Sequence, residues 1–199
     1  MWNRVKVING PSDDVIALND LKSRLRINLE YNDVNDDAVI SALLKAAVAR
    51  VDGPSGLGYA MMSQTWRLTL DCFQDVIILP GSPIREVCSI SYINTDGEER
   101  EVDEAVYKLN LDLDAVSIEP NFNMTWPSTR SQNNAVKIDY KLGVTDRTKL
   151  AQDLVTAVAM LTGHWYENRE ASIIGVSAKE LPFGVSEIFS QYKRGGIAA

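Results

Sequence analysis

Histidine and cysteine are nearly missing from this chain: 199 residues hold one histidine, His164, and two cysteines, Cys72 and Cys88. A structural zinc site needs four Cys or His ligands at set spacings, and no such cluster is present. A Ser-His-Asp arrangement would have to use His164, and no G-x-S-x-G elbow marks a nucleophile. No glycine loop is built to cradle phosphate, because Gly53, Gly56 and Gly58 lie outside any strand–turn–helix context. No apolar run approaches the ~20 residues that span a bilayer. The opening MWNRVKVINGPSDD lacks the apolar stretch of a signal peptide. These absences lead us to expect a protein that is not an enzyme, carries no cofactor or metal, and is made in a cytoplasm. In that reducing compartment Cys72 and Cys88, both in strand-like segments, are expected to be free, buried thiols.

Clustered base is missing as well. The formal net charge is −7, and the window from Asn94 to Pro120 holds nine acids against two bases, so it carries the whole excess. This argues against tight binding to a phosphate backbone, which needs grouped Lys and Arg. An acidic stretch of this kind is a solvated face, or a surface that repels nucleic acid or meets a basic partner.

What the chain does have is a core. Hydrophobic residues make up 45%, too many for a disordered polymer, and the length fits one domain or one domain with an insertion. The longest helix-periodic run is Ala151–Glu170, where Leu154, Val158, Leu161 and Trp165 recur with a 3.6 period. Asp146 and Asp153 lie toward its start and Arg169 at its end, as the helix dipole favours. Two helices are expected earlier. Leu18–Ile27 has Asn19 as its N-cap, and Asp36–Asp52 is capped by Asn35 and stopped by Gly53-Pro54. A fourth, within Glu180–Lys193, bears the stripe Val185, Ile188, Phe189 and Tyr192 and precedes a loose tail from Gly195.

Between the second and third helices the periodicity changes to two. Gln64–Phe73, Val76–Leu79, Ile84–Ile93, Glu98–Val102, Val106–Leu111, Ala115–Ile118 and Ala135–Leu142 read as strands, with Thr95-Asp96-Gly97 as a hairpin turn. Arg4–Ile8 is a short edge strand, Asn28–Asn35 a polar turn, Ser55–Met62 a Gly-rich connection and Pro120–Asn134 a long polar loop. The fold class is therefore α+β. A small helical bundle (1–54 and 144–199) is expected to carry an antiparallel β subdomain (55–143) inserted between its second and third helices.

Few residues here look chemical. His164 and Glu167 stand three apart on one helix, but the metal-binding order Glu-x-x-His is reversed and there is no second histidine. His164 is expected to form a hydrogen bond or pack at the helix end. Asp36/Asp37 and Glu98/Glu99 read as a helix start and a hairpin surface. Phe122 and Trp126 either form an exposed aromatic site for sugar or peptide or cover the edge of the β subdomain. Trp165 and Tyr166 read as packing.

The order of motifs resembles the head–tail connector (adaptor, or head-completion) family of long-tailed bacteriophages and prophages. The stretches that carry it begin with Leu18-Asn-Asp-Leu-Lys-Ser-Arg-Leu-Arg-Ile27, the helix Asp37–Val51, Gln64-Thr-Trp-Arg-Leu-Thr-Leu70 and Leu79-Pro-Gly-Ser-Pro83. They continue with Ser89-Ile-Ser-Tyr-Ile93, Asp96-Gly97, Trp126-Pro127-Ser-Thr-Arg130 and Asn134-Ala-Val-Lys-Ile138. They end with the run His164, Trp165, Tyr166, Glu167, Asn168, Arg169, Glu170 and with Glu180-Leu-Pro-Phe-Gly184. Two departures touch helix ends. Asp146-Arg-Thr-Lys149 replaces a proline ahead of the long helix, and Pro54–Met62 is unlike the usual Tyr-Thr-Gly-Arg pattern.

The resemblance implies a single connector domain over 1–199, a structural virion neck protein with no catalytic residues, assembled in the bacterial host cytoplasm. It implies a closed homo-oligomeric ring, dodecameric in the virion, that sits below the portal protein and receives tail or stopper proteins. DNA would pass without specific binding, and no membrane is involved. On this view Glu98, Glu99 and Glu101 face the channel. Val185, Ile188, Phe189, Tyr192, Lys193 and Arg194 dock on the portal, with packing on the protein's own long helix as the alternative. A carbohydrate- or peptide-binding module built on the β insertion is the alternative function.

Overall fold

In the computed structural model, residues 4–27, 36–111, 115–168 and 183–193 are described. The expected turn at Asn28–Asn35 with its Asn35 cap, Arg169, the Glu180–Pro182 approach, Arg194 and the tail from Gly195 fall outside them. The described elements are α+β: α1 (Leu18–Leu25), α2 (Asp37–Val51), α3 (Gln152–Glu167) and α4 (Phe183–Tyr192), with eight strands that all pair antiparallel.

The strands are β1 (Val5–Asn9), β2 (Gln64–Leu70), β3 (Ile77–Ile78), β4 (Ile84–Ile93), β5 (Glu99–Glu101), β6 (Tyr107–Asn110), β7 (Ser117–Pro120) and β8 (Val136–Leu142). They form a five-stranded sheet in the order β1-β2-β8-β4-β5 and a three-stranded sheet β3-β7-β6. The N-terminal edge strand thus belongs to the large sheet, paired with β2. Arg67 faces Asp139 across β2 and β8 and makes two hydrogen bonds to its carboxylate, of 2.6 and 2.7 Å.

Between the sheets lies one apolar core, with Trp66, Ile90, Ile118, Ile138 and Tyr140 fully buried. Burial raises the Tyr140 phenol pKa, and its hydroxyl donates to the Pro80 carbonyl at 2.8 Å. A second core is built on α3, which packs against α1, α2 and α4. Leu154, Ala157, Val158 and Leu161 are fully buried there, so the long periodic run is the centre of the helical part. Gly163 lets α1 approach closely: a Cβ at that position would lie 2.7 Å from a methyl of Leu25.

Several local expectations are corrected. α1 is capped by Ala17, with Asn19 inside the helix, and it ends on Arg26 in the left-handed region at φ 53°. Asp146 caps a 3-10 turn, Arg147–Lys149, by accepting from the Thr148 N–H. Within the Gly-rich connection Ala60, Met61 and Met62 are buried, Ala60 in the β core and the two methionines in the helical core. Cys72 and Cys88 are free but exposed, against the expectation of burial. Cys72 lies beyond the end of β2. Cys88 is the extra residue of a bulge: Val87 pairs with Tyr140 and Ser89 with Asp139, so the strand gains a residue and its alternation slips.

Candidate interaction surfaces

The acidic hairpin is rigid and partly self-neutralised. Asn94 Oδ1 accepts from the N–H groups of Asp96 (3.0 Å) and Glu98 (2.9 Å), and Gly97 takes φ 88° to close the turn. Glu98, Glu99 and Glu101 are all exposed. Glu98 pairs with Arg100 at 2.6 Å and Glu99 with Lys137 at 2.8 Å. Each hydrogen bond holds its carboxyl below the usual carboxylate pKa. Glu99, Arg100 and Glu101 form the edge strand β5, and charge on an edge deters pairing with a stray strand.

The end of α3 is structural. Asn168 closes the helix through its backbone N–H (3.1 Å) and its side-chain amide (2.8 Å), both donating to the His164 carbonyl. Trp165 and Tyr166 pack against the helical core. The Tyr166 hydroxyl donates to Asp36 Oδ2 at 2.5 Å, tying the end of α3 to the start of α2. Asp36 precedes α2, but its side chain makes no cap hydrogen bond there. Lys22 pairs with Asp37 in the first turn of α2. Among the described residues no group of three or more His, Cys, Asp and Glu is placed to hold a metal ion.

At the C-terminal helix, Val185 and Phe189 are buried in the helical core, and Ile188 and Tyr192 pack against it. The apolar stripe of α4 therefore lies on the protein's own long helix. The Tyr192 hydroxyl reaches Asp153, and its ring meets Tyr59 edge-on at 5.4 Å. Lys193 is exposed.

The aromatics of the long loop part company. Trp126 stacks on Phe73 at 4.7 Å with the rings 4° apart and also lies over Tyr107 at 6.3 Å, so it covers the edge of the β core. Its indole Nε1 is buried, with no hydrogen-bond partner among the described residues. Phe122 is 92% exposed and Met124 48%. The turn that carries them is firmly held. The Asn121 N–H donates to the Val106 carbonyl (2.8 Å), and its side-chain amide donates to the carbonyls of Ala105 (2.8 Å) and Tyr107 (3.0 Å). Met124 N–H closes the turn onto the Asn121 carbonyl, with Asn123 at φ 61°.

One surface had no signal in the sequence. Beside β1 a cleft of about 740 Å³ opens between α2 and the segment 11–18. Val7, Val15, Leu44 and Val48 supply apolar lining, and Asp13, Asp14, Lys45 and Asp52 supply charge. Asp52 Oδ1 accepts from the Met61 N–H (2.8 Å) and from Gln64 Nε2 (2.9 Å), while Gln64 Oε1 accepts from the Trp66 indole N–H (2.8 Å). Burial raises the Asp52 carboxyl pKa, and the two donors oppose that rise. These contacts join residues from both cores, so no local pattern could reveal them.

Residues 130–193 match the family model of the phage gp6-like head-tail connector protein. Among solved structures, the fold is similar to a chain from the neck of an empty gene transfer agent (GTA) particle computed with C6 symmetry. The TM-score is 0.77, with 24% identity over 98% of this chain and 97% of the other. A chain from the virion of a native GTA particle gives 0.76 and 23% over 98% and 97%. One from the neck of a native GTA particle computed with C12 symmetry gives 0.67 and 24% over 96% and 97%. No curated protein matches the sequence. The resemblance to the head–tail connector family is thus supported by sequence over residues 130–193, and the fold of nearly the whole chain is that of the GTA neck and virion chains.

Proposed function

We propose that this protein is a structural component of a virion neck, a head–tail connector. Its copies close into a ring below the portal, extend the DNA channel and receive tail or stopper proteins. The observation that carries the reading is the fold shared with a GTA neck chain over 98% of this sequence. The C6 and C12 symmetry of two of those necks supports a ring, and a ring needs a heterologous interface that closes on itself. A dodecamer remains the expectation by resemblance. No catalytic role is assigned.

In this reading the chain is one domain. Its helical part comes from 1–54 and 144–199, with the β subdomain 55–143 inserted between α2 and α3. Two separate apolar cores support that division, with β1 reaching across to the large sheet. Glu98, Glu99 and Glu101 line the channel, where a wall without clustered base lets phosphate pass. Portal docking through Val185, Ile188, Phe189 and Tyr192 requires α4 to leave α3. Exposed Lys193 is available without that step.

Electron microscopy of the purified protein, alone and with portal, tests the reading. Rings stacked under the portal are expected; particles that never join it would remove the connector role. The carbohydrate- or peptide-binding alternative loses support from Trp126, whose ring is already stacked on Phe73.

A further inference from the structure

The five-stranded sheet has two edges, β1 and β5, and among the described residues neither carries a further strand. The two edges differ in character. β5 consists of Glu99, Arg100 and Glu101, all exposed. β1 exposes Val7 at 42% and Ile8 at 43%, with Lys6 as its only charge. An edge with exposed apolar residues and little charge is open to another strand.

Register fixes which charges share a face. Lys6 lies opposite Arg67 and Arg67 opposite Asp139, while Glu101 lies opposite Ser91 and Ser91 opposite Lys137. Asp139 and Lys137 are two apart on β8, so Lys6 and Glu101 stand on one face of the sheet. The other charges of that face pair across strands: Arg67 with Asp139, Lys141 with Glu86 and Lys137 with Glu99. Lys6 and Glu101 are exposed and have no ion-pair partner among the described residues. One chain is left with a cation at one edge and an anion at the other. Four strand spacings, about 19 Å, keep them from meeting.

Direction agrees. Four antiparallel pairings lead from β1 to β5, so both edges run the same way. A small rotation from one copy to the next keeps that direction, so an edge of each kind would meet in parallel. Their rows differ by two residues along β8, about 7 Å across five strands, a gentler slope than the tilt of closed barrels.

We propose that β5 of one copy pairs with β1 of the next, in parallel and with Glu101 beside Lys6, so that the large sheet continues across the subunit seam. Two different edges that fit each other repeat head to tail, which is the arrangement that generates rings. The charge on β5 then selects its partner: it repels a second β5 edge and accepts the edge that brings a lysine. Glu98 and Glu99 keep their own partners, Arg100 and Lys137. The inference rests on the ring reading above and names the contact that would close it.

The test uses the full chain, alone and with portal, and measures by native mass spectrometry the concentration at which assemblies appear. Lys6→Glu and Glu101→Lys each set like charges against each other at the seam, and the double variant restores an opposite pair. Both positions are exposed, so all three proteins are expected to keep the wild-type melting temperature. Each single variant should raise the assembly concentration roughly tenfold or more, and the double variant should return it near the wild-type value. In chains with Cys72→Ser and Cys88→Ser, a Lys6→Cys protein mixed with a Glu101→Cys protein should form a disulfide between copies. Neither protein alone should do so. Normal assembly of both single variants, with no mixed disulfide, would overturn the seam and leave the ring reading standing. A loss of assembly in Lys6→Glu that the double variant does not reverse would give the β1 edge to a different protein and overturn the seam as well. A wild-type protein that stays monomeric with and without portal would remove the ring reading and the seam with it.

Discussion

The hydroxyl of Tyr192, on the last turn of α4, donates to the carboxylate of Asp153, on the first turn of α3, 2.7 Å from Oδ2 and 2.8 Å from Oδ1. It clamps α4 antiparallel along α3, while Tyr166 and Asp36 make the corresponding clamp between α3 and α2. Both tyrosines close contacts between a helix end and a distant helix start.

Tyr192→Phe is expected to cost about 1.5–3 kcal/mol, the range for a hydrogen bond to a charged group. Urea unfolding followed by circular dichroism would measure it. Burial, with help from Asp153, pushes the Tyr192 phenol up to about 12. A raised folded pKa gives stability that is complete below the ordinary phenol value and lost as pH rises through the folded one. The wild type should therefore lose this increment between about pH 10 and 12, and Tyr192→Phe should not. A clamp with no energetic role would leave the two pH profiles identical.

Asp52 separates charge from hydrogen bonding. Asp52→Asn keeps an oxygen for Met61 N–H and Gln64 and removes the cost of burying a charge, so stability at pH 7 should hold or rise. Asp52→Ala strands both donors and should cost about 1–3 kcal/mol. The pKa is raised in the fold, so the charged carboxylate is disfavoured there and the Asn gain should fade as acid protonates Asp52 in the wild type. Thermal melts of both variants at pH 4 and pH 7 would check the sign.

Gly143 has φ 81°, and a Cβ there would lie 2.1 Å from the Met62 carbonyl oxygen. Backbone cannot yield as a side-chain tip can. Gly143→Ala should cost about 3 kcal/mol or more and show as a large drop in melting temperature or as insoluble expression. Wild-type stability would mean the two segments are less closely apposed.

Trp126→Phe should preserve stacking on Phe73 and remove the buried indole N–H that has no partner among the described residues. Stability should be unchanged or about 1 kcal/mol higher. A glycan array giving a signal that this substitution abolishes would revive the binding-module reading.

Replacing Glu98, Glu99 and Glu101 by Lys should leave the melting temperature nearly unchanged, since all three are exposed and surface pairs contribute little. If the hairpin lines the channel, DNA ejection from assembled particles should slow. Wild-type ejection kinetics would place it elsewhere.

Much of the fold was legible because its signals are local. The 3.6 period of α3, the Gly53-Pro54 stop after α2 and the Thr95–Gly97 turn each depend on a few neighbouring residues, and β4 runs from Ile84 to Ile93 as its pattern predicts. The acid surplus and the lone histidine underlie the expectations of no tight phosphate binding and no metal or nucleophile chemistry. Tertiary structure decided the rest. The bulge that turns Cys88 outward depends on pairing with β8, some fifty residues along the chain. Asp36 lies at a helix start, yet its side chain takes Tyr166 as partner from 130 positions away. The stripe of α4 fits either a partner or its own core by sequence, and only packing against α3 assigns it. The cleft lies among segments of β1, the 11–18 stretch and α2, and the fixed turn that exposes Phe122 depends on carbonyls at 105 and 107. Periodicity states which face of an element is apolar. Which surface it meets depends on long-range packing that no short window contains.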